Sequence, residues 1–139
     1  MTTEILLGRF LGVDYGTKRI GVAISDQNGT LAFPKEIIQN DKDTFHKLEY
    51  LVKKENIKEI VVGESVDFSG KLNVLSGRIE VFILELKEKF NLPVHKQKEF
   101  LTSVEARRYR TKPGHVDASA AALILQRYLD LSAQAEKKE

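Results

Sequence analysis

Three carboxylates and the basic residues around them are where this 139-residue chain could do chemistry. Asp14 follows an apolar run and precedes Tyr15-Gly16, so it belongs at the carboxyl end of an expected central strand. Sites in open α/β sheets favour that place. There the carboxylate either ligates a hard, oxygen-preferring cation such as Mg2+ or Mn2+ or merely starts a hairpin turn. Asp117 follows the Pro113-Gly114 loop at an expected helix start. It serves there as an N-cap, or points its carboxylate off the sheet end toward Asp14. Glu99 closes the last expected strand and, taken alone, is an exposed strand-end charge. Together the three can lie at one edge of a sheet, where they would repel one another unless divalent cations neutralised them. Such a site suits two-metal hydrolysis of a phosphodiester. Glu105 is near in sequence, but Thr102-x-x-Glu105 has the form of a capping box.

Basic residues flank these acids. The chain's formal charge is only +2, yet Lys96–Lys112 holds Lys96, Lys98, Arg107, Arg108, Arg110 and Lys112 against Glu99 and Glu105. That segment is locally +4 and the remainder −2. Lys18 and Arg19, next to Asp14, extend the same set. Cations beside an acidic site would hold a phosphate backbone; the plainer alternative is a solvated helix face. The histidines, His46, His95 and His115, have no metal-ligand spacing. His46 is expected on an exposed helix face and His95 on a strand. His115, two residues before Asp117, either contacts phosphate or is an ordinary loop residue. The absence of cysteine excludes thiolate nucleophiles, disulfides and Cys-based zinc sites. No G-x-S-x-G elbow or P-loop is present.

The elements that must position these residues follow from periodicity. Ile5–Val13 reads as a buried strand and Arg19–Ser25 as its antiparallel hairpin partner. Asp26-Gln27-Asn28-Gly29 is a turn signal. Leu31–Ile38 is a third strand, which Pro34 assigns to an edge or an irregularity. Thr44–Asn56 carries Phe45, Leu48, Leu51 and Val52 at helical spacing. Glu59–Gly63 is a short apolar strand that suits a doubly covered position, followed by a polar loop over 65–70 near Asp14. Leu72, Leu75, Ile79, Phe82, Ile83, Leu86 and Phe90 mark an amphipathic helix. Pro93–Glu99 is a strand, a short helix starts at Thr102, and residues 111–115 form a loop. The last helix opens at Asp117, with Ala118, Ala121, Ala122, Leu125 and Leu129 as its apolar stripe. The expected fold is α/β: a mixed five-stranded sheet, an antiparallel three-stranded meander plus two further strands, flanked by helices.

Hydrophobic residues at 42% and charged residues at 30% fit an ordinary globule. Residues 1–139 are expected to form one domain with a frayed tail over 136–139. No apolar run reaches the length of a membrane span, and Met1–Arg9 does not read as a signal peptide. A cytoplasmic chain, monomeric or weakly homodimeric and without a membrane partner, is expected.

These residues also carry a family resemblance. Val13-Asp14-Tyr15-Gly16-Thr17-Lys18-Arg19-Ile20-Gly21-Val22-Ala23-Ile24-Ser25-Asp26 resembles the opening motif of the YqgF/RuvX family. Val61-Val62-Gly63, with a loop ending Ser69-Gly70, is similar to its second motif. Glu99–Ala106 resembles the third, and Val116–Ala121 with Ile124–Leu129 the fourth. The resemblance implies a ribonuclease H-like fold, with Asp14, Glu99 and Asp117 as metal-binding catalytic carboxylates. It further implies a Mg2+- or Mn2+-dependent nuclease acting on structured RNA, processing the 5′ end of pre-16S ribosomal RNA during ribosome biogenesis. The family was first described as Holliday-junction resolvases, so cleavage of a DNA junction is the alternative, a reaction that calls for a symmetric dimer. A non-catalytic RNA- or ribosome-binding module is a third reading. Asp14-x-Gly16-Thr17 also resembles the first phosphate loop of sugar kinases and actin, but those close two domains around ATP and this chain has length for one. Two departures stand out: Glu64-Ser65 where the family continues Gly-Leu-Pro or Gly-x-Pro, and His115 where it often has lysine. Both are expected at the rim of the site.

Overall fold

The computed structural model describes residues 8–66, 74–100 and 118–137. In chain order they form β1 (Arg9–Tyr15), β2 (Arg19–Ser25), β3 (Ala32–Gln39), α1 (Thr44–Lys54), β4 (Ile57–Val66), α2 (Val74–Phe90), β5 (Val94–Phe100) and α3 (Ala118–Lys137). The sheet order is β3-β2-β1-β4-β5. β1, β2 and β3 are joined antiparallel, while β4 and β5 continue the sheet in parallel with β1. This is the expected mixed five-stranded sheet with its meander, and β1 is its central strand. The short helix from Thr102, the loop over 111–115 and the opening of the last helix at Asp117 lie outside the described residues.

Alternation along the strands sorts the core into two sides. Leu11, Val13, Ile20, Val22, Ile60 and Val62 face Leu48 and Leu51 of α1 and Ile79, Phe82, Ile83 and Leu86 of α2. The opposite parity, Ala23 and Val61, faces Ala121, Ile124, Leu125 and Leu129 of α3. Each fully buried Leu, Ile or Val stabilises the fold by about 1.5–3 kcal/mol relative to exposure, so both helix layers are firmly attached. Of the stripe expected on the last helix, Ala121, Ala122, Leu125 and Leu129 are used and Ile124 joins them, whereas Ala118 stands outside the cluster.

Pro34 does what its chemistry requires. Without an N–H it sits on edge strand β3, where the pairing slips between Val22 and Ala23. The tip of the β2–β3 turn is fixed by Asp26, whose carboxylate accepts from Thr30 N at 2.8 Å and Leu31 N at 3.2 Å. Those bonds, with the Thr30 hydroxyl foremost, hold the Asp26 carboxyl below its ordinary range.

Several boundaries shift from the sequence expectation by a residue or more, and two of the shifts bear on the site. β1 continues past Val13 through Asp14 to Tyr15, because the Tyr15 ring packs 4.8 Å from Phe82. β4 runs from Ile57 to Val66 rather than stopping at Gly63, so Ser65 and Val66 are strand rather than loop.

Candidate functional site

Asp14 lies within β1, paired with Gly21 of β2, and so does not start the hairpin turn. It has the parity of Gly12, the glycine against which α3 packs. A Cβ on Gly12 would stand 2.7 Å from Leu125 Cβ and 3.0 Å from the Ala121 carbonyl oxygen. On neighbouring β4, a Cβ on Gly63 would stand 2.4 Å from a terminal carbon of Ile124. Two glycines on adjacent strands thus let α3 approach the sheet closely.

The helix direction follows from its contacts. Phe10, early in β1, packs 6.0 Å from the Tyr128 ring, whereas Gly12, later in β1, meets Ala121. α3 therefore runs against β1 and brings its N-terminus toward Asp14. Ala118, its first residue, directly follows Asp117 in the chain. Asp117 itself lies outside the described residues, as do Arg107, Arg108, Arg110, Lys112 and His115.

Glu99 is described through its backbone, which pairs with Ser65 near the carboxyl end of β5. That register position shares its parity with Gln97, beside Gly63, and with His95, beside Val61. The His95 ring stacks on Tyr128 of α3 at 5.0 Å. Position 99 thus falls on the α3 side, at the same sheet end as Asp14. Arg19, half-buried at the start of β2, has the parity of Gly21 and Ala23 and so shares that side. Lys18 is exposed in the adjoining turn.

Glu64 does not stand at this rim. Its parity is that of Val62, and it lies on the α1/α2 side of the sheet, 2% exposed. Lys96 of β5 approaches it at 3.7 Å and also bonds Glu80 of α2. The hydrogen bond to Glu80, ahead of the Glu64 charge, raises the Lys96 ammonium above its ordinary value. The basic segment expected around Glu99 is thereby divided, because Lys96 is engaged on the opposite face and Lys98 shares its parity. The glutamate at position 64 is a buried ion-pair partner because strand alternation leaves no other direction for it.

One cluster had no counterpart in the sequence reading. At the far end of the sheet, His95 Nε2 lies 2.6 Å from Glu59 Oε1, beneath Tyr128, whose phenol is pushed up chiefly by burial. The partners are 36 and 33 residues apart, so spacing carried no signal; strand pairing brings them together. Among the described residues no group of three His, Asp or Glu side chains could hold a metal ion. Among them Asp14 brings a carboxylate to one end of the sheet, while the imidazole of His95 is engaged at the other.

The chain matches the RuvX family, described as Holliday junction resolvase, over residues 8–131. It is 37% identical over 134 residues to a protein of Lawsonia intracellularis named "Putative pre-16S rRNA nuclease", covering 89% of this chain and 94% of that one. A protein of the same name from Lactobacillus acidophilus is 36% identical over 137 residues, with 88% and 96% covered. Among solved structures, RuvC of Thermus thermophilus in complex with a Holliday junction substrate superposes with a TM-score of 0.56. That match covers 91% of this chain and 96% of that one at 15% identity, a likeness of fold, the ribonuclease H-like fold that the motifs implied.

Proposed function

This chain belongs to the RuvX Holliday junction resolvase family, and on that premise we propose that it is a metal-dependent nuclease acting on structured RNA, namely the 5′ end of pre-16S ribosomal RNA. The RNA substrate is supported by the names of its curated relatives. The observation that carries the chemistry is the position of Asp14. It sits at the carboxyl end of the central strand, on the side covered by α3, with the register position of Glu99 on that same side.

The donor chemistry fits a hard divalent cation, since Asp14, Glu99 and Asp117 are carboxylates and the chain has no thiol. In this reading those three would hold the metal. Bound Mg2+ or Mn2+ supplies Lewis-acid stabilisation to the attacking and leaving oxygens of an in-line displacement. The chain's own residues position. The glycine contacts at 12 and 63 fix the N-terminal end of α3 over the strand ends. Arg19, on the carboxylate side, and Lys18, in the turn, hold the phosphate backbone, joined by Arg107, Arg108, Arg110, Lys112 and His115.

Cleavage of precursor 16S ends and of four-way DNA junctions, each with Mg2+ and with Mn2+, tests the reading. Metal-dependent cleavage of the RNA that disappears in Asp14→Asn is the expected result. Cleavage of junctions alone would move the chain to the DNA-resolvase reading. Binding of RNA without cleavage under any metal would make it a binding module.

A further inference from the structure

On the face opposite Asp14, at the same end of the sheet, a cavity of about 380 Å3 opens between β1, α1 and α2. Its size falls within the range of about 300–1,000 Å3 typical of ligand sites. Tyr15, Phe82 and Phe45 form an aromatic row along it, with ring centroids 4.8 Å and 5.6 Å apart. Arg78 is exposed and Glu85 half-buried in the wall. Gly77 leaves a gap in the α2 side, since among the described residues nothing lies within 4 Å of where its Cβ would be.

The cavity is physically tied to the turn beside Asp14. Asn40, which lines it, donates its side-chain amide to the Gly16 carbonyl at 2.8 Å. The Asn40 backbone N–H donates to the Lys18 carbonyl at 2.9 Å. Tyr15 directly follows Asp14 and, by strand alternation, carries its ring to the other side. The two faces are thus one residue apart at the carboxyl end of β1, with exposed Lys18 in the adjoining turn.

We propose that this cavity is a subsite for one unpaired nucleotide of the nucleic-acid substrate, its base set against the Tyr15 ring and its phosphate on Arg78. The proposal rests on the nuclease reading above. Aromatic side chains with an adjacent guanidinium are what single-stranded nucleic acid binds, through base stacking and phosphate contact. The orientation follows from charge. Glu85 would repel a phosphate entering the cavity, so the base enters and the phosphate stays at the rim with Arg78. Among the described residues Arg78 has no ion-pair partner that would compete.

The test uses the full chain and RNA duplexes carrying a short single-stranded tail, titrated in Ca2+. At each tail position in turn the nucleotide is replaced by an abasic one. Wild type is expected to lose about tenfold in affinity when one particular base is removed. Gly77→Leu, which fills the gap without a clash and improves helix propensity, is expected to erase that discrimination while binding blunt duplex as wild type does. Arg78→Gln is expected to weaken the intact and abasic tails equally. If no tail position discriminates, or if Gly77→Leu discriminates like wild type, the subsite is overturned. Metal-dependent cleavage by Gly77→Leu on a blunt substrate then still reports on the nuclease reading separately.

Discussion

The two faces of the sheet are built from different materials. On the α3 side, Gly12, Ala23 and Gly63 meet Ala121, Ile124 and Leu125, and backbone nearly touches backbone. On the α1/α2 side, Leu, Ile, Val and four aromatic rings fill a thicker layer that leaves a cavity and takes in a charged residue. The candidate carboxylate belongs to the thin face and the buried Glu64 to the thick one. Two acids on adjacent strands are thereby kept apart by parity alone, since one residue's displacement along a strand exchanges the faces. Small residues hold a helix end at close range over the site, whereas bulky residues provide the stability and the recess behind it.

The largest expected effect is on the thin face. Asp14→Asn keeps the shape of the side chain and removes the charge a divalent cation needs. Cleavage should fall by roughly 10^3-fold or more with a melting temperature within a few degrees of wild type. Full activity would remove Asp14 from the mechanism, and a collapsed melting temperature would make it structural. Gly12→Val comes next. Its added carbons would collide with Leu125 Cβ and the Ala121 carbonyl, so denaturant unfolding should show a loss of about 3 kcal/mol, at the upper end of overpacking effects. Gly63→Ala should cost less, because the atom it meets is the movable end of Ile124. Equal costs at the two positions would mean that α3 shifts as a body and is not clamped at Gly12.

Much of this arrangement is legible in the residues because it depends on local rules. Arg19–Ser25 reads as a strand from its β-branched run and is one, to the residue. Pro34 announces the edge and the slip. Asp14 at the end of an apolar run is a site signal that needs no tertiary knowledge. The rest is hidden by pairing. The apolar pattern of β4 ends at Gly63 because a glutamate follows, and it takes Lys96, 32 positions later, to make Glu64 tolerable inside a buried strand. The residues alone leave Asp14 free to start the hairpin turn; Gly21 opposite it and Tyr15 packed on Phe82 are what keep it in the strand. The cavity and the cluster of His95, Glu59 and Tyr128 each combine residues from three elements, so no window along the chain contains them.

On the thick face, Lys96→Met tests whether Glu64 is there as one half of a pair. Leaving a carboxylate unpaired in a buried position costs about 3–5 kcal/mol in the general case. Lys96 is itself 38% exposed and reaches Glu64 at 3.7 Å, so solvent screening reduces the expected loss to about 2 kcal/mol. The double variant Glu64→Leu with Lys96→Met should recover most of it, because an apolar pair needs no partner. Failure of the double variant to recover, measured by denaturant unfolding, would mean that the charges here fix local geometry beyond their own compensation.

The smallest effect concerns Glu80, the partner of Lys96 on α2. It is 49% exposed, so Glu80→Gln should cost well under about 1 kcal/mol at neutral pH. Its signature is the pH at which stability is lost. The Lys96 ammonium is held above its ordinary value first by Glu80. A raised folded value means the stabilisation is complete below the unfolded lysine value of about 10.4 and disappears as pH rises through the folded one. Removing Glu80 lowers the folded value toward the unfolded one, so the variant should lose less stability as pH rises past about 10.4, and its melting temperature should converge on that of wild type there. The buried Tyr128 phenol, also raised, declines in the same direction, but equally in both proteins, and cancels in their difference. Melting curves of the two that stay parallel between about pH 8 and pH 11 would show that Glu80 contributes nothing to holding Lys96, and that Glu64 alone ties β5 to the thick face.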